Sequence, residues 1–508
     1  MAGIAGWITR GARRDEGALS AMLQAICHRG VDGLSGVVDR RSGRELVFAA
    51  QIADEASGVA VVLDGALANA AELKNALTVR GQRFASSADA EIVLRAYLQW
   101  DKECVRQLRG QFALAVWDGR RERLLLARDR FGEKPLYLYE KDGVVAFASE
   151  PKALRQAFPL EVDSNAVKNH LEGKTSGALY RNVRRLGPAT QALWHFGRLI
   201  ETRYWTSPDK EPYAGVPVSG AIEAFAGELE DAVRRRPADA VFLSGGLDSA
   251  ALVAVASRNN TRLRTFTFGL AKDRNSELPA AAEVAKQFGT SHHEVVATPQ
   301  ELARALPEVV VMRDAPASRP SDVAVHLLCR SAEGVKRVLT GEGCDEVLGG
   351  YRRYIAARFK GNFRSDLYAA QTGPLPDEVL ERTERVGAGA ALEAQHPFLD
   401  HVLAETVSAL PDDMRVRGVA TKWILREAAR GLLPKMGGRR HGGFRVRARD
   451  VMSNELLLEY LGAPDAHVRQ YCDPATMLEE HVKGKKNHEA ALWTLLNLEI
   501  WHRRSASG

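Results

Sequence analysis

An apolar run at residues 240–243 leads directly into Ser244-Gly245-Gly246-Leu247-Asp248-Ser249, and a helical pattern follows from about Ser249. A strand that stops at paired glycines and restarts as a helix is a place where backbone amides converge on an anion at a helix N-terminus. The glycines let the backbone approach phosphate oxygens with no Cβ in the way. Asp248 is acidic where a bare anion site would carry no carboxylate, and a magnesium ion bridging it to the phosphates accounts for that. No lysine follows the glycines, so this is not the GxxxxGK[ST] loop of phosphoryl-transfer enzymes. The plainer alternative is an ordinary glycine-rich strand-to-helix turn.

The surroundings of this loop set the fold class. A helix from about Ser249 and a strand at 264–268 complete a βαβ succession, so the second half is expected to hold a parallel sheet flanked by helices, with helices dominating from about Val323. The first 160 residues read differently. Short strands at 45–52, 59–63, 112–117, 123–127 and 144–148 alternate with turn residues such as Gly33, Gly119 and Asp142-Gly143, and helical stretches fall near 16–27 and 90–100. That layout predicts stacked antiparallel sheets. Pro208, Pro212 and Pro217 interrupt both periods within residues 204–218, which places the domain boundary there and gives domains at 1–205 and 206–508.

Composition excludes some classes. The chain has 508 residues, enough for several cores, and lacks any long uncharged apolar run, so neither disorder nor a membrane span is expected. Residues 415–450 carry 11 basic and 2 acidic side chains, more than the whole net charge of +6. Such a field suits a phosphate-rich ligand or a nucleic acid, or is simply a solvated basic face. The five cysteines are an odd count with no CxxC spacing, which points to reduced thiols and a cytoplasmic protein. The N-terminus lacks the pattern of a signal peptide and reads as the start of a folded domain.

A second acidic cluster, Thr340-Gly341-Glu342-Gly343-Cys344-Asp345-Glu346, follows the apolar run 335–339 and precedes Gly349-Gly350-Tyr351. Three carboxylates within five residues repel one another unless a cation or basic partner sits among them, and magnesium is the economical explanation. A solvated acidic turn is the alternative.

The loop S-G-G-x-D-S resembles the pyrophosphate loop of ATP pyrophosphatases. With G-E-G-x-D-E-x-x-G-G-Y, His396-Pro397-Phe398-Leu399-Asp400 and Lys422-Trp423-Ile424-Leu425-Arg426-Glu427, the second half resembles the synthetase domain of asparagine synthetase B-type enzymes. His28-Arg29-Gly30-Val31-Asp32-Gly33, Gly110-Gln111-Phe112-Ala113 and Arg128-Asp129-Arg130-Phe131-Gly132-Glu133-Lys134-Pro135-Leu136-Tyr137 resemble that family's N-terminal glutaminase domain. The resemblance implies an α+β Ntn-hydrolase-like domain of stacked antiparallel sheets, then an α/β ATP-pyrophosphatase domain with a parallel sheet and a helical C-terminal region. It implies ATP and Mg2+ as cofactors, with ATP held by Leu243, Ser244, Gly245, Gly246, Leu247, Asp248, Ser249, Phe268 and Gly341, and the metal by Asp248 and Asp345. Glu342 is the implied base, and His441, Arg440 or Lys422 steady negative charge. Ser276 and Glu277 match the family's substrate-side loop, although Ser276 reads equally as a helix N-cap.

The departures matter as much as the matches. The family's nucleophilic cysteine follows the initiator methionine, and this chain has Ala2, whose methyl group cannot attack an amide. Gln51 stands where the family has an arginine for the glutamine carboxylate, and Asp64-Gly65-Ala66 replaces N-G-E. Asp89 keeps its character at the position that contacts the substrate amino group. Losing a guanidinium removes a bidentate contact, and Asp64 would repel a carboxylate. His441 stands for the family's lysine, and Arg319 and Asp322 alter the charge of the expected acceptor loop.

The favoured expectation is an ATP-dependent ligase that adenylates a small-molecule or peptide carboxylate, releases AMP and pyrophosphate, and passes the acyl group to an amine or ammonia without hydrolysing glutamine. This is the logic of β-lactam synthetases and lasso-peptide cyclases. A second reading is an asparagine synthetase that uses ammonia, or a glutamine-dependent one with an engineered alanine at position 2. A third is a nucleic-acid-binding or scaffolding pseudoenzyme, which the matched acidic loops disfavour. No membrane partner is expected, and a homodimer is the assembly that relatives often adopt.

Overall fold

The computed structural model describes residues 3–10, 17–30, 33–41, 44–174, 177–208, 216–274, 276–433 and 446–506. The chain divides into two compact units, Met1–Ala166 with Ser176–Ser207, and Val167–Thr175 with Pro208–Gly508.

Among the described residues, the first unit holds two six-stranded antiparallel sheets. One runs, edge to edge, through Val183–Arg185, Tyr137–Lys141, Val144–Ala148, Ala5–Arg10, Arg44–Ala50 and Ser35–Arg41. The other runs through Arg198–Arg203, Thr190–His195, Arg123–Arg128, Gly110–Asp118, Val59–Leu67 and Ile52–Asp54. Successive side chains of a strand point to opposite faces, so a strand covered on both sides is apolar throughout. Val59–Leu67 behaves in this way. Ala60 and Val62 meet Ile8, Phe48 and Phe147 of the first sheet, while Val59, Val61 and Leu63 meet Leu73, Leu77, Ile92 and Val93 of the helices Ala70–Val79 and Asp89–Trp100. On the outer face of the first sheet Trp7 packs edge-on against Phe158 beside the helix Pro151–Ala157. Helix, sheet, sheet and helix therefore stack as four layers.

The expected hairpin at Asp142-Gly143 joins Tyr137–Lys141 to Val144–Ala148 with φ of 50° and 77°, the double left-handed conformation that matches strand twist. The expected strand 45–52 is interrupted at Gln51, whose amide bonds to the Val61 carbonyl. The strands Ala5–Arg10, Ser35–Arg41 and Tyr137–Lys141 were not expected.

The motif at residues 128–137 acts inside this unit. The buried Asp129 carboxylate accepts amides from Phe112, Phe131, Glu133 and Lys134 at 3.3, 3.1, 2.9 and 3.0 Å. Arg128 donates to the carbonyls of Lys134, Leu186 and Gly132. These bonds account for the motif as a folding device. An Asp129→Ala chain leaves four amides short of an acceptor, and urea denaturation of the first unit is expected to register a loss of about 3 kcal/mol or more.

In the second unit the described residues form one five-stranded parallel sheet, ordered Ser291–Ala297, Arg264–Leu270, Ala240–Phe242, Arg337–Leu339, Glu393–Gln395. The chain starts in the middle, at Ala240–Phe242, moves outward on one side, then returns to the other side of that strand. This leaves a switch point between Ala240–Phe242 and Arg337–Leu339, where open α/β sheets bind ligands beyond the strand carboxyl ends. Both acidic loops emerge there, because each follows one of these two strands. No helix of the described residues is long and apolar enough to cross a membrane.

Candidate active site

The Ser244 loop turns tightly into its helix, which starts at Leu247, two residues before the expected position, with Gly246 as N-cap. The Ser244 amide and hydroxyl both meet the Ser249 hydroxyl at 3.1 Å, and Ser249 bonds to the Gly246 carbonyl at 3.3 Å. Gly245 has φ of +70°, and a Cβ there would lie 2.9 Å from the Ala280 Cβ and 3.0 Å from the Ala281 amide nitrogen. Only glycine fits. The first-turn amides of Leu247–Ala256 have no acceptor within their own helix, the condition under which a helix N-terminus can receive an anion. Leu243 and Phe268 are buried beside the loop, and the Leu243 amide bonds to the Phe266 carbonyl at 2.8 Å.

Gly341 brings the second loop against the first, since a Cβ there would lie 3.1 Å from that of Asp248. The three carboxylates of this loop have three separate fates. Asp345 Oδ1 meets Lys422 Nζ at 2.7 Å, and the same ammonium meets Asp248 Oδ2 at 2.5 Å. Glu346 turns inward and accepts the Tyr351 hydroxyl at 2.7 Å, and burial raises its pKa above the usual carboxylate range. Glu342 faces away, with Oε1 accepting from Arg382 at 2.6 Å and Thr383 at 2.7 Å. Its Oε2 has no hydrogen-bond partner among the described residues and lies 3.8 Å from His396 Nδ1. His396 in turn holds the Thr340 hydroxyl at 2.7 Å. The basic partner that such a cluster requires is thus in place as Lys422.

Lys422 is buried at the head of the helix Trp423–Leu432 in a left-handed conformation, φ 52° and ψ 40°. Burial opposes its charge, but the Asp248 carboxylate, with Cys344 and Asp345, outweighs that and raises its pKa well above the ordinary lysine value. Cys344 donates to Asp248 Oδ1 at 3.2 Å, and burial together with that carboxylate keeps it a thiol. Asp248 and Asp345, in the first turns of the helices Leu247–Ala256 and Cys344–Leu348, are hard oxygen donors of the kind that could hold a magnesium ion. The ammonium between them shows that the geometry calls for a cation. Among the described residues no group of three or more metal-ligating side chains occurs.

The other expected site residues divide. The Asp322 carboxylate accepts from Arg313, the Ser318 amide and hydroxyl, and the Arg319 amide, so it ties the loop to its own helix. Arg319 is half exposed and pairs with Glu378 at 2.7 Å. Ser276 accepts the Leu278 amide at 3.2 Å just before the helix Leu278–Phe288, whose N-cap is Glu277 and not Ser276. His441 and Arg440 lie outside the described residues, as does Ala2. Arg382 and Thr383 were missed entirely. They lie in the helix Glu381–Gly389, and nothing in its local sequence marks them.

In the first unit Asp64 is fully buried, 3.2 Å from Arg29 Nη1 and 3.7 Å from Lys134 Nζ. Its charge is therefore matched internally, and the expected repulsion of a carboxylate gives way to a different effect: Asp64 occupies two cations of its own domain. Arg29 also pairs with Glu150, which is held by His28 at 2.9 Å and Lys152 at 2.7 Å. Asp89 accepts the Leu67 amide at 2.8 Å, next to Ala66, and the exposed Gln51 accepts the Leu63 amide at 2.9 Å.

Comparison with known proteins gives the family. A glutamine amidotransferase domain model matches residues 1–205, and an asparagine synthase model matches residues 224–372 and 356–503. A Bacillus subtilis (strain 168) asparagine synthetase [glutamine-hydrolyzing] 1 is 26% identical over 96% of this chain and 93% of its own. A Mycobacterium tuberculosis (strain ATCC 25618 / H37Rv) relative, named by inference as a glutamine-hydrolyzing asparagine synthetase, is 30% identical over 87% of this chain and 84% of its own. An Arabidopsis thaliana asparagine synthetase [glutamine-hydrolyzing] 2 is 29% identical over 78% and 68%. With two acidic loops at the switch point of its parallel sheet and an amidotransferase domain before it, this chain belongs to the asparagine synthase family.

Proposed function

We propose that the protein is an ATP-dependent, AMP-forming carbon–nitrogen ligase whose first unit does not hydrolyse glutamine. The observation that carries the reading is the convergence of Asp248 and Asp345 on one cation position beside the amides of the Ser244 loop. The triphosphate of ATP lies along Ser244–Ser249, with Leu243, Phe268 and Gly341 enclosing the nucleoside. Magnesium, held by Asp248 and Asp345 when bound, neutralises the phosphate oxygens. The first-turn amides and Lys422 hold the β- and γ-phosphates while a substrate carboxylate attacks the α-phosphorus and pyrophosphate departs. An amine then attacks the acyl carbon, and Glu342 Oε2 takes its proton, because Arg382 and Thr383 engage Oε1 and hold the carboxylate in place. Arg440 and His441 are the proposed partners for developing negative charge, and Ser276, Glu277 and Arg319 are proposed to border the acceptor pocket.

Loss of glutamine hydrolysis rests on Ala2 and on Asp64, which engages Arg29 and Lys134. The relatives' names make aspartate the first carboxylate to test. The test is mass spectrometry of AMP and amide product with Mg-ATP, aspartate and either ammonium or glutamine. AMP and product from ammonium alone support the reading, and glutamine-dependent product overturns its second part. Without aspartate-dependent AMP, the same assay moves to other amino acids and peptides, and AMP from none of them sinks the ligase reading. Ala2→Cys is expected to leave glutaminase activity undetectable by glutamate release, since one thiol does not restore the pocket.

A further inference from the structure

Lys422 reaches its position from far along the chain, 174 residues from Asp248. Its Nζ lies 2.5 Å from Asp248 Oδ2 and 2.7 Å from Asp345 Oδ1, so one ammonium joins the first turns of the two helices that follow the switch-point strands. The fold makes room for it. A Cβ on Gly350 would fall 1.8 Å from Asp345 Oδ1 and 2.1 Å from Lys422 Cε, so that glycine keeps open the channel in which the lysine stem lies. Asp248 and Lys422 are buried and Asp345 is one-third exposed, so water screens only one side of the converging carboxylates, and removing the ammonium leaves the buried Asp248 charge uncompensated. A lysine supplies one positive charge and three donors, and it cannot be displaced without finding another anion.

We infer that Lys422 is a resident counter-ion of the nucleotide-free protein: it fills the cation position between Asp248 and Asp345, excludes bare divalent ions, and gives way only when a triphosphate arrives to receive its ammonium. Metal and nucleotide then enter together. The inference rests on the proposed assignment of Asp248 and Asp345 as the metal pair, and it adds an order of binding that the pair alone does not imply.

The test measures Mn2+ binding by depletion of the free-ion electron paramagnetic resonance signal, with and without α,β-methylene-ATP. The wild-type chain is expected to bind one Mn2+ at least about tenfold more tightly with the nucleotide analogue than without it. Lys422→Met, which keeps the stem and removes the charge, is expected to bind Mn2+ without nucleotide at least about tenfold more tightly than wild type, because facing carboxylates lacking a counter-ion attract a divalent ion strongly. Its thermal midpoint is expected to rise on adding Mg2+ alone, whereas that of wild type stays put. Wild-type binding of Mn2+ alone as tight as with the analogue overturns the inference, and so does equal metal-only affinity in wild type and Lys422→Met. Asp345→Asn separates the two levels. If it abolishes nucleotide-dependent Mn2+ binding while Lys422→Met behaves as wild type, the lysine's role alone falls; if it leaves that binding intact, the metal assignment falls and the inference with it. The wild-type arm needs no variant, so a Lys422→Met chain that does not fold leaves the inference falsifiable.

Discussion

Glu342→Gln is expected to keep ATP–pyrophosphate exchange within a few-fold of wild type while lowering amide formation by about a hundredfold or more, the range that a positioned general base contributes. The split follows from the geometry. Glutamine preserves the shape and can still accept the Thr383 hydroxyl, which meets Glu342 at 2.7 Å. It cannot take a proton from an attacking amine. Arg382 stays within 3.8 Å of Asp322, so its charge retains a partner when that of Glu342 is removed. Isotope exchange from labelled pyrophosphate into ATP reads the first step, and product mass reads the second. Equal losses in both assays would mean that Glu342 supports nucleotide binding or the fold, and an unchanged product rate would remove it from the chemistry.

Some of this site could be read in the sequence because its chemistry is local. The Ser244 loop needs only a strand, two glycines and a helix start in succession, and all three lie within ten residues. The acidic loop could be read for the same reason, although its partners could not. Lys422 was visible as part of a motif, yet its place between Asp248 and Asp345 depends on packing that joins three distant segments. In the nucleotide-free chain Lys422 is an ion-pair partner of Asp248 and Asp345, a position that the motif alone does not reveal. Arg382 and Thr383 carry no local signature, since an arginine and a threonine on a helix are ordinary until a carboxylate is brought to them. The strands that escaped notice have their own reasons. Ser35–Arg41 and Ser291–Ala297 are edge strands whose polar residues hide the alternation, and Glu393–Gln395 is too short to show a period. Some of the basic residues in 415–450 have partners among the described residues. Arg415 pairs with Asp412, Arg430 with Glu427, and Arg417 stacks over Trp423 at 3.5 Å.

Gly350→Ala is expected to reduce ATP–pyrophosphate exchange by about a hundredfold or more, an effect larger than most single methyl additions produce. The reason is space and not backbone conformation, since Gly350 is absent from the glycines with positive φ. The added Cβ would sit 1.8 Å from Asp345 Oδ1 and 2.1 Å from Lys422 Cε, far inside contact distance of two groups that are themselves bonded at 2.7 Å. Neither group yields cheaply. Lys422 is fixed by Asp248 on its other side, and moving Asp345 outward spoils the geometry that a metal–triphosphate complex requires, in which a displacement of about 1 Å can cost a hundredfold in rate. Gly227 serves as the control. It lies in the helix Val218–Arg234 with nothing within 4 Å of its would-be Cβ, and Gly227→Ala should leave exchange unchanged while raising the melting temperature slightly through helix propensity. If Gly350→Ala exchanges pyrophosphate at the wild-type rate and remains folded by circular dichroism, the Asp248–Lys422–Asp345 constellation does not handle the nucleotide.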